Sequence, residues 1–261
     1  MKALIYGNGE SRKVWDITKS YKGFETWGCN AIYRDCTVDT LIAIDYGIQQ
    51  EIYKSGYANK NECRFADWAI LEDFDVEFLK INYAPKHIHE TEKGNRTSCV
   101  VQGKEVESAE RNYYEMIREF PNLDKEDIKR KCYNNVGLYI TWIDEEDKVF
   151  SIDYPREWCA GTTAIHLACQ EGVDEIYMLG FVLTSYNEPI NNIYKGTDNY
   201  LSNESKGFNP INWIKQLNTV CDEFLDTKFY WVENRDTRRP KMLKNNVENI
   251  SYKTLDKICK T

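Results

Sequence analysis

The sequence predicts an α/β protein built on a Rossmann-like, mostly parallel sheet, with helices on both faces and an inserted lid or subdomain. Short apolar runs alternate with helical patterns near both ends of the 261-residue chain, as they do in parallel sheets. Several of these runs stop at glycine or at a polar residue, which is typical of strands that end at a ligand-binding edge. A polar and charged stretch, about 85–155, interrupts the alternation. We therefore expect one Rossmann-like domain over 1–261 that contains an insertion over 85–155.

The N-terminal part of the chain supplies the first strands of the predicted sheet. Apolar runs bounded by glycine and polar residues indicate each of them. A helix capped by Ser11 is expected to run to about residue 18, and a second helix is expected over 47–55. The predicted strands are 2–6, 25–28 and 40–44, with further short strands near 64–71 and 79–83.

The middle section has a different pattern. Residues 86–107 are polar and predict an exposed excursion, while 105–131 predict charged helices. Two alternating runs, 137–143 and 148–152, flank a short acidic linker, which is typical of a β-hairpin. The α/β alternation then resumes with a helix over 157–170 that Gly172 closes, a strand over 175–179, a helix over 212–225, a strand over 228–232 and a short helix near 251–259.

Composition and charge exclude several classes of function. The formal net charge is −8, whereas a dedicated nucleic-acid binder carries a basic face. No apolar run is long enough to span a bilayer and the N-terminus lacks the pattern of a signal peptide. We therefore expect no membrane span and a cytoplasmic location, which is the host cytoplasm if the chain is viral. The nine cysteines include no CxxC pair, which favours reduced thiols over a zinc site. The sequence leaves open whether the chain forms a homo-oligomer.

The first candidate binding element follows the first predicted strand and consists of Gly7, Asn8, Gly9, Glu10, Ser11 and Arg12. Glycines let the backbone approach a ligand closely, and the N-terminus of a following helix offers free N–H groups to an anion. Ser11 and Arg12 add side-chain donors. The pattern is neither a dinucleotide fingerprint nor a P-loop, so it favours a mononucleotide. An ordinary tight turn between strand and helix is the alternative interpretation.

Other candidate residues lie at strand ends or helix starts. An amide at a strand end can bind a base or a ribose, and a carboxylate there faces the crevice at the carboxyl edge of the sheet. A glycine and two threonines at a helix start can hold a phosphate through N–H and hydroxyl groups. Turn closure and close helix packing are the respective alternatives. The residues concerned are Asn30, Asp45, Gly161, Thr162, Thr163 and Gly180.

Two further segments complete the candidate site. The polar and aromatic loop over 191–200 is long enough to suggest a function. We expect it to contact the donor or the acceptor through Asn192, Tyr194, Lys195, Thr197 and Tyr200. His87 and His89 place two imidazoles on one side of an extended segment and are candidates for a catalytic base, with an exposed loop as the alternative.

These blocks resemble known groups of proteins. GNGESRK from Gly7, GCNAIYRD from Gly28 and NNIYKGT from Asn191 are similar to blocks in a group of T4-like phage proteins. The order of the strand-end motifs also resembles the bacterial sialyltransferases that use CMP-sialic acid. It resembles, too, their wider relatives, which include the archaeal hydroxymethylpterin diphosphokinase.

The sialyltransferase resemblance implies a Rossmann-like sheet with a lid and a transfer that requires no metal ion. The family binds its cytidine nucleotide with the first glycine loop and with an asparagine after the second strand. The family's Ser-Gly helix start is matched in part by the segment that contains Gly161, with alanine in place of serine. Family tyrosines hold the donor phosphate in a region that here includes Tyr194 and Tyr200. The positions that match the cytidine site are Gly7, Asn8, Gly9, Ser11 and Asn30.

The catalytic base is where the chain departs from this family. The family's histidine comes from the lid that follows the last motif, and no histidine follows His166 here. Asp45 is then one candidate for the base, and His87 or His89 from the insertion are the others.

The motifs predict a nucleotide site, and the sialyltransferase resemblance implies a nucleotide-sugar-dependent glycosyltransferase with a CMP- or UDP-linked donor; the phage resemblance fits a phage-encoded enzyme. The acceptor is a glycan or a hydroxymethylated DNA base, and the net charge of −8 weighs against DNA. Two alternatives stay open. One is an ATP-dependent pyrophosphoryl transferase of the pterin diphosphokinase type, and the other is a non-catalytic nucleotide-binding module.

Overall fold

A computed structural model of the chain describes residues 1–72, 88–96, 98–104, 106–133, 137–144, 146–153, 155–156, 158–183, 188–233, 239–244 and 246–260. The strand predicted near 79–83 and the candidate base His87 lie outside these residues. The chain divides into two compact units. The first contains 1–42, 156–195 and 206–261, and the second contains 43–155 and 196–205.

The bounds of the regular elements are as follows. The strands are β1 (Lys2–Tyr6), β2 (Phe24–Cys29), β3 (Thr40–Ala43), β4 (Glu62–Phe65), β5 (Ala69–Glu72), β6 (Ile88–Glu90), β7 (Ser98–Lys104), β8 (Gly137–Ile143), β9 (Val149–Ser151), β10 (Glu175–Leu179), β11 (Lys228–Glu233) and β12 (Val247–Ser251). The helices are α1 (Tyr46–Lys54), α2 (Val106–Glu119), α3 (Lys125–Tyr133), α4 (Ala160–Gln170), α5 (Ile211–Glu223) and α6 (Tyr252–Ile258), and 3₁₀ turns cover Glu10–Val14, Asn30–Arg34 and Tyr57–Asn59.

The first unit is built on a parallel sheet whose strands follow the order β12-β11-β10-β1-β2-β3. From β1 the chain adds β2 and β3 on one side, and it later adds β10, β11 and β12 on the other. The strand order therefore reverses between β1 and β10, which makes this pair a topological switch point. The predicted α/β class with a mostly parallel sheet is confirmed.

Both faces of this sheet are buried. Leu4 pairs with Tyr177 on one face, and the two side chains are 0% and 1% exposed. Trp27 and Trp231 belong to the opposite face and are each 1% exposed. Helix α4 packs against β1, β2 and α5, while α6 packs against β11 and β12. Burial on both faces explains why these strands are continuous apolar runs rather than alternating ones.

The second unit contains a four-stranded sheet in the order β5-β7-β8-β6 and a parallel pair of β4 with β9. The predicted hairpin over 137–143 and 148–152 is wrong, because β8 pairs with β7 and β6 while β9 pairs with β4. A half-buried strand alternates whatever its partner is, so the pattern is no evidence for a hairpin. The exposed excursion predicted over 86–107 is also wrong, since it contains β6 and β7.

Burial explains why the exposed excursion predicted over 86–107 is wrong. Cys99 of β7 is 0% exposed and packs with Ile140 and Trp142 of β8, which are 1% and 2% exposed. These few apolar positions suffice for a small sheet even though their neighbours in sequence are polar. The predicted insertion over 85–155 falls within the second unit, which already begins at residue 43, and its boundaries stay a prediction.

Helix ends show one further difference from the expectations. Ser11 does not cap a helix that runs to residue 18, because it lies inside a 3₁₀ turn that follows Gly9 and ends before Trp15. The side chain of Ser11 is buried in the turn, so it is not at a solvated helix start. By contrast, Gly172 closes α4 with φ of +82°, as expected. All nine cysteines are free thiols. Within the ranges given above, no helix has the length and apolar character needed to cross a membrane.

Candidate functional site

The candidate site lies at the carboxyl ends of β1 and β10, where the loops that follow the two strands meet. The N–H of Gly7 donates to the carbonyl of Leu179 at 2.8 Å, and the N–H of Gly9 donates to the carbonyl of Gly180 at 2.8 Å. The two loops are therefore joined by their backbones. In parallel sheets a ligand-binding crevice forms at such a switch point, outside the carboxyl ends of the strands.

Close packing of these two loops explains their glycines. A Cβ atom on Gly7 would lie 2.9 Å from the carbonyl oxygen of Gly180, and one on Gly9 would lie 2.5 Å from the same atom. A Cβ atom on Gly180, whose φ is +72°, would lie 2.7 Å from the carbonyl oxygen of Gly7. No side chain larger than hydrogen fits at these positions. The glycines are needed for contact between loops, and not only for approach of a ligand.

The backbone donors of the first loop are largely engaged within the protein. Besides those of Gly7 and Gly9, the N–H of Arg12 donates to the carbonyl of Gly9 at 3.1 Å. The N–H of Glu10 donates to the side-chain oxygen of Asn191 at 2.8 Å. The sequence suggested that N–H groups of this loop bind phosphate, but in this structure these four already have acceptors.

A third loop, over 190–195, packs on the first. The N–H of Ile193 donates to the carbonyl of Asn8 at 2.8 Å. Asn192 uses its side-chain oxygen to accept from the N–H of Tyr194 at 2.9 Å, so it shapes the loop. The ammonium of Lys195 lies 3.4 Å from a carboxylate oxygen of Glu10. Three loops therefore converge at one end of the first-unit sheet.

Buried polar contacts join the third loop to the start of the chain. The guanidinium of Arg12 is 1% exposed, and its Nη2 donates to the hydroxyl of Tyr194 at 3.1 Å. That hydroxyl donates to the carboxylate of Asp35 at 2.6 Å, and Arg12 lies 3.6 Å from the same carboxylate. Burial raises the pKa of Tyr194, so the phenol stays protonated. Tyr194 and Arg12 thus hold the loop in place and do not present their polar ends to solvent.

Arg12 is incompletely paired. Among the residues that the structure describes, neither its Nε nor its Nη1 has a hydrogen-bond partner. An unpaired donor in the interior costs about 1–3 kcal/mol, and more when the group is charged. The charge of Arg12 is paired with Asp35 at 3.6 Å, but Nε and Nη1 remain donors without an acceptor among these residues, which an anion nearby could satisfy.

The end of β2 places a strained asparagine at the same edge. Asn30 has φ of +52°, in the left-handed region that non-glycine residues rarely adopt. Its side-chain oxygen is buried and has no partner within the described part of the chain. Asn8 donates from its side-chain amide to the carbonyl of Cys29 at 3.1 Å, which joins the first loop to this strand end. Backbone strain and an unpaired acceptor together are typical of functional sites.

The start of α4 is more closed than the sequence suggests. Thr162 is 1% exposed, and its hydroxyl lies 3.2 Å from the thiol of Cys159. Thr163 donates from its hydroxyl to the carbonyl of Cys159 at 3.1 Å. Gly161 faces the ring of Phe181. Both threonine hydroxyls therefore have local partners.

Charge at the first loop is balanced by lysines. The pKa of Glu10 is lowered, chiefly by its hydrogen bond with Lys13; burial opposes this, and the charges of Lys13 and Lys195 lower the pKa further. Ser11 is 7% exposed and lies beside Tyr252, whose pKa is raised by burial. The side chain of Lys195 is 25% exposed, and its ammonium also donates to the carbonyl of Ile190 at 3.3 Å.

Several predicted residues belong to the second unit and are not joined to this edge by the contacts described above. Asp45 is exposed and precedes α1. Thr197 is exposed in a turn, and Tyr200 accepts from Arg130 of α3 through its carbonyl at 2.7 Å. His89 lies on β6.

Histidine chemistry is absent from the described loops of the site. His166, in α4, is 9% exposed and lies 3.4 Å from Glu223. Its pKa is lowered mainly by burial, so the imidazole is neutral at pH 7. His166 packs edge-on against Trp158 and Phe224, which is the environment of a packed core residue.

Sequence reasoning placed Phe181, Asn191 and Asp35 within its motifs but gave none of them a role of its own. Each of them contacts a residue that lies far away in the sequence, so no local spacing indicates it. An aromatic residue directly after a strand-ending glycine was the one available signal, at Gly180-Phe181.

Comparison with known proteins gives a distant structural match. No protein-family model matches the sequence, and no curated protein matches it. Among solved structures, the chain is similar to the sialyltransferase CST-II, crystallised with a trisaccharide acceptor and CMP. The alignment covers 100% of both chains, with 14% identity and a TM-score of 0.38. At this identity and overlap, the likeness says nothing about the activity of the chain.

Proposed function

We propose that this protein is a nucleotide-sugar-dependent glycosyltransferase that holds the nucleotide part of its donor at the carboxyl ends of β1 and β10. The observation that supports the proposal most strongly is the convergence of three loops at the switch point of a parallel sheet. Open α/β sheets bind their ligands at this place.

The chemistry of the loops suits a nucleoside monophosphate or diphosphate. Asn30 offers an unsatisfied amide oxygen to a ribose hydroxyl or a base amine. Lys195 offers a partly exposed ammonium to a phosphate. Nε and Nη1 of Arg12 are donors that have no acceptor among the described residues.

Glycosyl transfer breaks the bond between the anomeric carbon and a phosphate oxygen, and the nucleotide leaves with the bonding electrons. Cations beside the phosphate stabilise the charge that develops there. A base removes the proton of the acceptor hydroxyl, and the acceptor oxygen forms the new bond to the anomeric carbon. We assign the stabilisation of the phosphate charge to Lys195. Asp45, His87 and His89 remain the candidates for the base.

The donor and acceptor follow from the same proposal. The donor is a CMP- or UDP-linked sugar, and the transfer proceeds without a metal ion. The acceptor is a glycan or a hydroxymethylated base in phage DNA, and the net charge of −8 favours the glycan, because DNA repels an acidic surface.

Donor turnover tests the proposal. Purified protein is incubated with CMP-, UDP- and GDP-sugars, and the donor is followed by phosphorus NMR and by thermal shift. We expect at least one donor to raise the melting temperature and to be consumed. Lys195→Gln should slow consumption by about tenfold or more, since it removes a charged contact of about 1.5–3 kcal/mol. Lys206→Gln is the matched control, because Lys206 is exposed and belongs to the same unit. No response to any donor would contradict the proposal.

A non-catalytic nucleotide-binding module is the second candidate. It is favoured by one observation, the burial of His166 beside Glu223, which leaves no imidazole free in the described loops of the site. In that case nucleotides would bind but no donor would be consumed with any acceptor. Magnesium-dependent binding of ATP would instead indicate a pyrophosphoryl transferase.

A further inference from the structure

The ring of Phe181 packs against two glycines, Gly7 and Gly161, at the switch point. It follows Gly180 at the end of β10. A Cβ atom on Gly7 would lie 3.2 Å from Cδ2 of the Phe181 ring. A Cβ atom on Gly161 would lie 3.0 Å from Cε1 and 3.3 Å from Cζ of the same ring. The ring therefore lies between the end of β1 and the first turn of α4.

The contact with the ring is the nearest one at Gly161, and at Gly7 it adds to the closer contact with the carbonyl of Gly180. Neither Gly7 nor Gly161 has a positive φ, so neither backbone requires glycine for its conformation. Gly161 lies in the first turn of α4, where most other residues favour the helix more than glycine does. A larger residue at either position would displace the ring of Phe181. The sequence thus keeps two glycines at positions where the ring needs space.

The ring is supported from one side and is open on another. The indole of Trp231 meets it edge-on, with ring centroids 6.3 Å apart and planes at 65°. Trp231 itself is 1% exposed, so it forms a fixed wall. Phe181 is only half-buried. Part of Phe181 is therefore exposed at the end of β10, next to the loop that contains Gly7.

We propose that Phe181 is the platform on which the nucleobase of the donor stacks. The inference rests on the proposed function and adds a positioning residue to it. Every base has a π-face, and stacking on an aromatic side chain contributes to affinity without selecting one base. Phe181 then orients the base, while edge contacts such as those of Asn30 select it. A sugar ring of the acceptor is the competing occupant of this surface, and the test separates the two.

Isothermal titration with three probes tests this role. The probes are CMP, UMP and ribose 5-phosphate, which keeps the sugar and phosphate but lacks the base. Phe181→Leu should weaken CMP and UMP binding by about tenfold or more, and Phe181→Tyr should keep affinity within about threefold. Ribose 5-phosphate should bind equally to the wild type and to both variants.

Phe208→Leu is the matched control. Phe208 is also half-buried in the first unit, and it meets Trp213 edge-on with ring centroids 6.2 Å apart. This variant should bind CMP and UMP as the wild type does. If it loses as much affinity as Phe181→Leu, the loss is a general effect of weaker packing and the inference is overturned.

The outcomes distinguish this inference from the proposed function. Unchanged CMP and UMP affinity in Phe181→Leu overturns the platform and leaves the proposed function standing. An equal loss for ribose 5-phosphate also overturns it, because the ring would then act on the sugar or on the loop. If the wild type binds no nucleotide, both the inference about Phe181 and the proposed function fail.

A second measurement does not depend on the folding of a variant. In the wild-type protein, proton NMR should show upfield shifts of H5 and H6 of bound CMP and nuclear Overhauser contacts from these protons to the ring of Phe181. Bound CMP without these contacts overturns the inference.

Discussion

Replacing Asn30 by glycine should make the protein more stable and less able to bind a nucleotide. Asn30 holds a backbone φ of +52°, and its buried side-chain oxygen has no partner in the described part of the chain. Glycine adopts this backbone without a steric penalty. Asn30→Gly therefore removes two destabilising features together with the proposed ligand contact.

The magnitude follows from these two features. Relief of the left-handed backbone contributes up to about 1 kcal/mol, and less for asparagine than for other residues. Removal of a desolvated, unpaired oxygen contributes about 1–3 kcal/mol. The larger unfolded-state entropy of glycine offsets about 0.4–1 kcal/mol of this gain. We expect a net stabilisation of about 1 kcal/mol, which raises the melting temperature by about 2–4 °C.

The assay combines urea unfolding with titration of CMP and UMP. Loss of one hydrogen bond should weaken binding by about tenfold, which corresponds to about 1.4 kcal/mol. Asp67→Gly is the control, because Asp67 also has a positive φ, +57°, and belongs to the second unit. It should relieve similar strain and leave nucleotide affinity unchanged. A less stable Asn30→Gly protein with unchanged affinity would refute the reasoning, since Asn30 would then only close a turn.

Three further substitutions test the packing of the first unit. Tyr194→Phe removes the hydrogen bonds of the phenol with Nη2 of Arg12 and with Asp35 and should lower stability by about 1–2 kcal/mol in urea unfolding, and an unchanged midpoint would contradict this. Gly9→Ala places a Cβ atom 2.5 Å from the carbonyl oxygen of Gly180 and should cost about 1–3 kcal/mol, whereas a neutral effect would show that the loops separate easily. The pKa of His166 is lowered from 6.5, chiefly by burial, so its contribution to stability is present above pH 6.5 and is lost as the pH falls through the folded-state pKa. His166→Gln should therefore reduce the difference between urea midpoints measured at about pH 7.5 and about pH 5.5, and an undiminished difference would assign the pH effect to other groups.

The strands of the first unit could be predicted because they are buried on both faces. The run over 2–6 and the run over 175–179 are apolar, end at glycine and match β1 and β10 at both bounds. Pairing was harder to predict, because it joins residues far apart in the sequence. The alternation in 137–143 and 148–152 indicates strands correctly, yet it carries no information on their partners.

The candidate site, like the sheet, could be predicted only in part. The glycines of the first loop and Gly180 could be recognised as special from their positions after strands. The physical reason for these glycines could not be predicted, because it is the contact between two loops about 170 residues apart in sequence. The pairing of Arg12 with Tyr194, separated by 182 residues, was equally hidden. Local pattern therefore indicated a candidate site, and only the fold revealed which of its groups are engaged within the protein.

The central claim is that a nucleotide binds at the carboxyl ends of β1 and β10. A crystal structure of the protein with CMP or UMP tests it most directly. We predict the base against Phe181, with the ribose or base within hydrogen-bond distance of Asn30 and the phosphate near Lys195. A nucleotide bound elsewhere on the chain, or an unliganded switch point at millimolar nucleotide, would contradict the account.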